Sequence, residues 1–257
     1  MNIFGKTIST ADFIPPIINK IQNKVHHFVS HDKRVAMFKH CPPNIDVQWI
    51  IDVGANNGMV AKAALDSYPE SSIICFEPVR STFEKLRCNL SEYGERVHLY
   101  NAALSDHDGL ETINITSSNA ANSLERQASF HKRFNPHICE TGTETIQVMR
   151  LDEAAGLFSA KKVQIVKIDV EGHELKVLKG GTNFLRACVD IIIIEIALQR
   201  DNSLEHQALF EIFSLLEELG FRLINIFDLH HANDSELQLT QMDCIFRKFK
   251  YLRGPTI

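Results

Sequence analysis

Three groups of residues in this chain have the types and spacing to do chemistry. The first is Ile50-Ile51-Asp52-Val53-Gly54-Ala55-Asn56-Asn57-Gly58, an apolar run that ends in a glycine turn and leads into a helical pattern. Such a turn lets backbone come close to a ligand, and the helix that follows presents N–H groups to an anion. A dinucleotide fingerprint needs G-x-G-x-x-G, whereas the spacing here is Asp52-x-Gly54-x-x-x-Gly58. The second group is Glu77, which ends the next apolar run in Cys75-Phe76-Glu77-Pro78. A carboxylate at that place can accept both hydroxyls of a ribose, or cap the helix that follows it. The third is Lys167-Ile168-Asp169-Val170-Glu171-Gly172-His173-Glu174, in which paired acids leave a buried strand. In an open α/β sheet that edge is where ligands bind.

Together these groups suit a ligand that carries a carboxylate, a cationic centre and a ribose, which is the make-up of S-adenosylmethionine. Helix N–H groups beside Gly54, Asn56 and Gly58 suit the carboxylate, Asp52 suits the cationic centres, and Glu77 suits the ribose. Asp169, Glu171 and His173 are then the candidates to orient an acceptor hydroxyl and take its proton. His131 and His137 are the next candidates. No metal-ligand set is assigned, with magnesium on Asp169, Glu171 and a third residue from a polar insert as the alternative. Glu174 reads as a solvent-facing residue at a helix start, and His230-His231 as a surface turn.

These residues need a frame to hold them. Apolar runs at 49–53, 72–76, 97–103, 163–169, 190–197, 222–227 and 244–249 read as strands, with a shorter one at 111–115 and another at 146–150. Helical patterns follow the first run through Leu65 and then cover 81–90, 173–185 with a stop at Gly180-Gly181, and 205–219. Strands alternating with helices predict an α/β fold, a doubly wound and mostly parallel sheet of seven strands with helices on both faces. Residues 1–47 read as an N-terminal helical extension, with apolar positions at helical spacing over 13–29 and a close at Pro42-Pro43. Residues 48–257 form the main domain, and the polar stretch 117–145 is an insert of the length that lids have.

Composition bounds the function. The chain has 257 residues, of which 44% are hydrophobic and 23% charged, which suits one decorated α/β domain. A net charge of −5 argues against a general nucleic-acid binder. No run reaches the roughly 18 apolar residues of a membrane span, and Asp12 with Pro15-Pro16 breaks any secretory pattern. Six cysteines without a C-x-x-C pair suit a reducing, cytoplasmic setting better than a disulfide framework.

Taken in order, Asp52-Val-Gly-Ala-Asn-x-Gly58, Phe76-Glu77-Pro78, Asn101-Ala-Ala-Leu-Ser-Asp106, Ser123-Leu124, Leu151-Asp152, Lys167 to Glu174, Val177 to Gly180 and Gln241-x-Asp243 resemble the FkbM-type methyltransferase family. The resemblance covers about residues 48 to 249. It implies a class I, Rossmann-like methyltransferase fold, S-adenosylmethionine as donor, and O-methylation of a small-molecule or glycan acceptor. By position it implies that Asp52, Gly54 and Gly58 line the methionine end, Glu77 the ribose, and Ser105 and Asp106 the adenine. Asp169 and Glu171 would face the reacting centre. A nicotinamide-dependent oxidoreductase and a non-catalytic nucleotide-binding module are the competing classes.

Overall fold

The computed structural model describes residues 34–43, 45–117, 123–124, 139–157, 162–198, 205–231 and 239–249. The helix expected over 13–29 lies outside these residues, as do His131 and His137.

The apolar runs collect in one seven-stranded sheet because their Ile and Val side chains need cover on both faces. β1 (Trp49–Val53), β2 (Ser72–Phe76), β3 (Val97–Tyr100), β7 (Val163–Ile168) and β8 (Val189–Ala197) run parallel in the order β3-β2-β1-β7-β8. β10 (Leu239–Lys248) then pairs antiparallel with both β8 and the edge strand β9 (Phe221–His231). This is the mostly parallel, doubly wound α/β sheet that the alternation predicts.

Helices cover both faces. α1 (Met59–Ser67) and α2 (Arg80–Asn89) lie on one, where Ala61, Leu65 and Leu86 pack against Ile50, Ile73 and Ile193. Met37 and Phe38, from a helical segment at residues 34–39, join the same cluster. α3 (Leu151–Ala154), α4 (Glu174–Gly180), α5 (Thr182–Cys188) and α6 (Glu205–Glu218) lie on the other, with Leu178, Leu185 and Leu216 against Ile51, Val166 and Ile192. Among the described residues no helix is long and apolar enough to cross a membrane.

Four local expectations need correction. The single strand expected at 97–103 is two, because the Asn101 amide donates to the carbonyls of Glu77 (2.9 Å) and Pro78 (2.8 Å) and turns the chain out of the sheet. After that turn β4 (Ala103–Ser105) enters a second, three-stranded sheet with β5 (Gly109–Thr116) and β6 (Glu140–Arg150), in the order β4-β6-β5. β6 therefore claims residues 140–145 of the expected insert. They are polar and exposed, so they carry no alternation to betray a strand. The helix expected over 173–185 breaks at Gly181, where an added Cβ would lie 2.8 Å from Leu151. His230 and His231 end β9 rather than sit in a loop.

The placement of the site rests on one close approach. Asp169 N–H donates to the Val53 carbonyl at 3.1 Å, which draws the residues after β7 across the end of β1. Gly54, at φ +81°, lies there with its missing Cβ position 2.0 Å from the Asp169 carbonyl oxygen. The glycine is thus required by the protein's own backbone. Replacing Gly54 with Ala adds both a backbone clash and a left-handed penalty, so we expect a loss of about 2–4 kcal/mol of stability. Chemical denaturation checks this, and an unchanged midpoint would contradict it.

Candidate active site

The carboxyl ends of β1, β2 and β7 open onto a cavity of about 460 Å³, a size suited to a small-molecule ligand. Its walls bring together Gly54, Asn56, Glu77, Asp169, Glu171 and His173 from the expected set. Phe76, Val79, Ala103, Leu104 and Ile113 supply apolar surface, and Ser123 and Leu124 lie beside them.

The turn after β1 does not offer its amides as the sequence suggests. Gly54 and Ala55 N–H both donate to the Phe76 carbonyl, at 3.0 and 2.9 Å, and Gly58 N–H to the Ala55 carbonyl at 2.9 Å. Asn56, held at φ 50°, gives its N–H to Glu77 Oε2 at 3.0 Å. The donors left for an anion are those that begin α1, at Met59 and Val60, which a helix leaves without internal acceptors and which line the cavity here. Gly58 itself is not on the wall. Its left-handed backbone caps α1, and it packs against Leu86 and Leu90.

Glu77 serves both roles considered for it. Its Oε1 accepts the N–H of Val79, the residue that caps α2, at 2.9 Å, and its Oε2 holds Asn56. Each carboxylate oxygen keeps a further lone pair for a ligand hydroxyl. Burial raises its pKa to about 7 against the pull of those two N–H groups, with Asp52 and Glu144 adding to the rise.

Behind the cavity lies a group of buried charges. Lys167, 2% exposed, bonds through Nζ to Asp169 Oδ2. Burial works against its charge, but Asp169, Asp52 and Glu195 outweigh that and hold the ammonium above its ordinary range. Asp52 pairs in register with Lys167, is 1% exposed, and has no hydrogen-bond partner at either oxygen. Its place is behind the wall, facing Lys167 rather than a ligand, and burial lifts its pKa to about 6.

The turn Val170-Glu171-Gly172 is built to present Glu171. Glu171 adopts φ 52°, Gly172 φ 103°, and the Ser123 hydroxyl donates to the Glu171 carbonyl at 2.8 Å. Glu174 Oε1 accepts the N–H groups of Val170 (3.2 Å) and Gly172 (2.9 Å). Glu174 is therefore a buried brace, not the solvent-facing residue expected. Ser105 and Asp106 stand back from the wall. Ser105 Oγ lies 3.0 Å from His173 Nε2 and so positions that ring, while exposed Asp106 contacts His107 at 2.9 Å. Both departures share one cause: Gly180 lets α4 press against the Ser105 backbone, which turns Ser105 inward under the helix.

Three residues at or beside the site were given no role by the sequence. Arg34 lines the cavity with one buried guanidinium nitrogen that has no hydrogen-bond partner among the described residues. It belongs to the segment read as an extension, where no motif marks it. Glu195 and Asp243 are cross-strand partners on β8 and β10, close enough to Asp169 to feel its charge. The signal for Glu195 was present, a carboxylate inside the otherwise apolar run 191–196.

Comparison with known proteins follows the same lines. The methyltransferase FkbM domain matches residues 52–223. The hexuronic acid methyltransferase AglP of Haloferax volcanii is 35% identical over 151 residues, covering 59% of this chain and 56% of that protein. The 2-O-methyltransferase NoeI of Sinorhizobium fredii is 28% identical over 145 residues, 53% of this chain and 58% of the relative. The chain thus spans little more than half the length of these two curated relatives. Among solved structures, methyltransferase FkbM from Methylobacillus flagellatus KT is 16% identical, with a TM-score of 0.48 over 79% of this chain and 44% of that one.

The buried acids make a pH prediction. Glu77 has a folded pKa raised above its unfolded value, so the folded state holds the extra proton between about pH 4.5 and about pH 7. Stability from this group is present below that window and is lost as pH rises through it. Ligand-free protein should melt at lower temperature at pH 8 than at pH 5, and Glu77→Gln should flatten the slope. A slope that is the same in both proteins would contradict the raised pKa.

Proposed function

The chain belongs to the FkbM methyltransferase family, and from that premise we propose that it moves a methyl group from S-adenosylmethionine to a hydroxyl oxygen of a sugar or glycan. The observation that carries this reading is the arrangement of the cavity, with a ribose-type acceptor, Glu77, on one wall and the Asp169–Glu171 pair on another. The cavity fits the donor's parts. Glu77 keeps lone pairs for the ribose hydroxyls, and Phe76, Val79 and Leu104 offer an apolar slot for a flat base. Arg34 lines the cavity together with Met59 and Val60 of the first turn of α1. The unpaired Arg34 nitrogen and the N–H groups of Met59 and Val60 suit a carboxylate. The relatives' names, one a hexuronic acid methyltransferase and one a 2-O-methyltransferase, support a sugar hydroxyl as the acceptor.

When bound, the donor supplies a methyl group on a positively charged sulfur, already activated for transfer. The protein's task is then alignment and proton removal. Holding two reactants in line supplies on the order of 7–11 kcal/mol, and a placed base about 10²–10⁴-fold. Asp169, held by Lys167, and Glu171, held by its strained turn, orient the acceptor hydroxyl and receive its proton. His173, oriented by Ser105, borders the same space.

Two substitutions separate capture from chemistry. Arg34→Ala should weaken donor binding roughly tenfold or more, since a charge-assisted hydrogen bond contributes about 1.5–3 kcal/mol. Calorimetry reads this, and unchanged affinity would remove Arg34 from the site. Asp169→Asn should leave donor affinity within a few-fold and lower turnover by about 10²-fold. Near-normal turnover would take Asp169 out of the chemistry.

A further inference from the structure

Donor contacts leave Glu195 and Asp243 without a task, yet both sit where charge is costly. Glu195 lies near the carboxyl end of β8 beside Asp169, and Asp243, directly opposite it on β10, is only 8% exposed. Neither has a hydrogen-bond or ion-pair partner among the described residues. Asp243 pairs in register with Glu195, so the two side chains leave the same face of the sheet, and Asp243 feels the charges of Lys167 and Asp169. Buried carboxylates in natural proteins are paired or bind a cation. Among the described residues, Asp52, Asp169, Glu195 and Asp243 all act on one buried ammonium, that of Lys167, which bonds to Asp169.

Geometry names the missing partner. One ligand oxygen each from Asp169, Glu171 and Glu195 falls within 4.8 Å of the others. Oxygens bound to one ion at about 2.0–2.6 Å lie at most about 4.0–5.2 Å apart, a range that accommodates this spacing. The donors are all carboxylate oxygens, which suit a hard ion better than zinc or copper. We propose that Asp169, Glu171 and Glu195 bind a divalent cation of the magnesium or manganese type at the carboxyl ends of β7 and β8. Asp243, one strand further on, stands behind Glu195 as an outer carboxylate that adds to the field.

The ion site stands on this geometry alone. Its consequence rests on the methyl-transfer reading: the cation would bind the acceptor through one or two of its oxygens, lower the pKa of the hydroxyl to be methylated, and so favour an acceptor with adjacent hydroxyls.

The test is manganese binding by EDTA-stripped, folded full-length protein, read as loss of the free Mn²⁺ electron paramagnetic resonance signal with no donor or acceptor present. We expect one Mn²⁺ per chain with a dissociation constant below about 1 mM, displaced by magnesium. Glu195→Gln should weaken it tenfold or more. Glu171→Gln, on the partly exposed turn, carries the same test should the Glu195 variant not fold. No uptake by the unmodified protein at millimolar Mn²⁺, or uptake that both variants leave unchanged, would overturn the site. A protein that binds Mn²⁺ but transfers no methyl group would contradict the proposed reaction alone. Full turnover in EDTA without Mn²⁺ binding would sink the ion alone.

Discussion

Lys167 stands on the central strand β7 with its ammonium removed from water, and the carboxyl end of the sheet is organised around it. The charge is kept because Asp169 bonds to it while Asp52 and Glu195 surround it. Removing one partner of a buried ion pair leaves the other without compensation and costs about 3–5 kcal/mol. The arrangement therefore holds the Asp169 carboxylate in one place, at the rim of the cavity, while its second oxygen stays available. Asp52 does not line the cavity, yet its charge acts on Lys167 from the neighbouring strand. A residue with a donor-binding motif position thus acts one layer back.

Backbone closeness is the second constraint, and it works with the first. β1 and β7 meet at Gly54 and Asp169, and α4 meets β4 at Gly180 and Ser105, each contact too tight for a Cβ. These approaches bring the acids of β7 over the end of β1, and Ser105 up to His173. The β7 side of the cleft is consequently set by packing between strands and helices, not by side chains choosing among rotamers.

Much of this was legible in the sequence, for physical reasons. Runs such as Ile50–Val53 and Ile191–Ile194 can be buried only inside a sheet covered on both faces, so the architecture followed from them. Gly54, Glu77, Asp169 and Glu171 announced a site because acids and a left-handed turn at strand ends are poor for stability alone. What stayed hidden was whatever lacks a periodic pattern. The polar start of β6 hid a second sheet, and Arg34 lies in a segment with no motif. The roles of Ser105, Asp106 and Glu174 could not be read from position, because each depends on which neighbour the fold puts opposite it. Asp243 was part of the family resemblance, yet only the register of β8 with β10 shows what it faces.

The central claim is that one cleft holds an S-adenosyl donor with its ribose on Glu77 and its sulfur toward Asp169 and Glu171. A crystal structure with S-adenosylhomocysteine measures this directly. The account predicts both ribose hydroxyls within hydrogen-bond distance of the Glu77 carboxylate, the amino-acid carboxylate at Arg34 and the start of α1, and the sulfur facing the acids at the end of β7. A ligand whose ribose lies away from Glu77, or whose sulfur points away from Asp169 and Glu171, would contradict it.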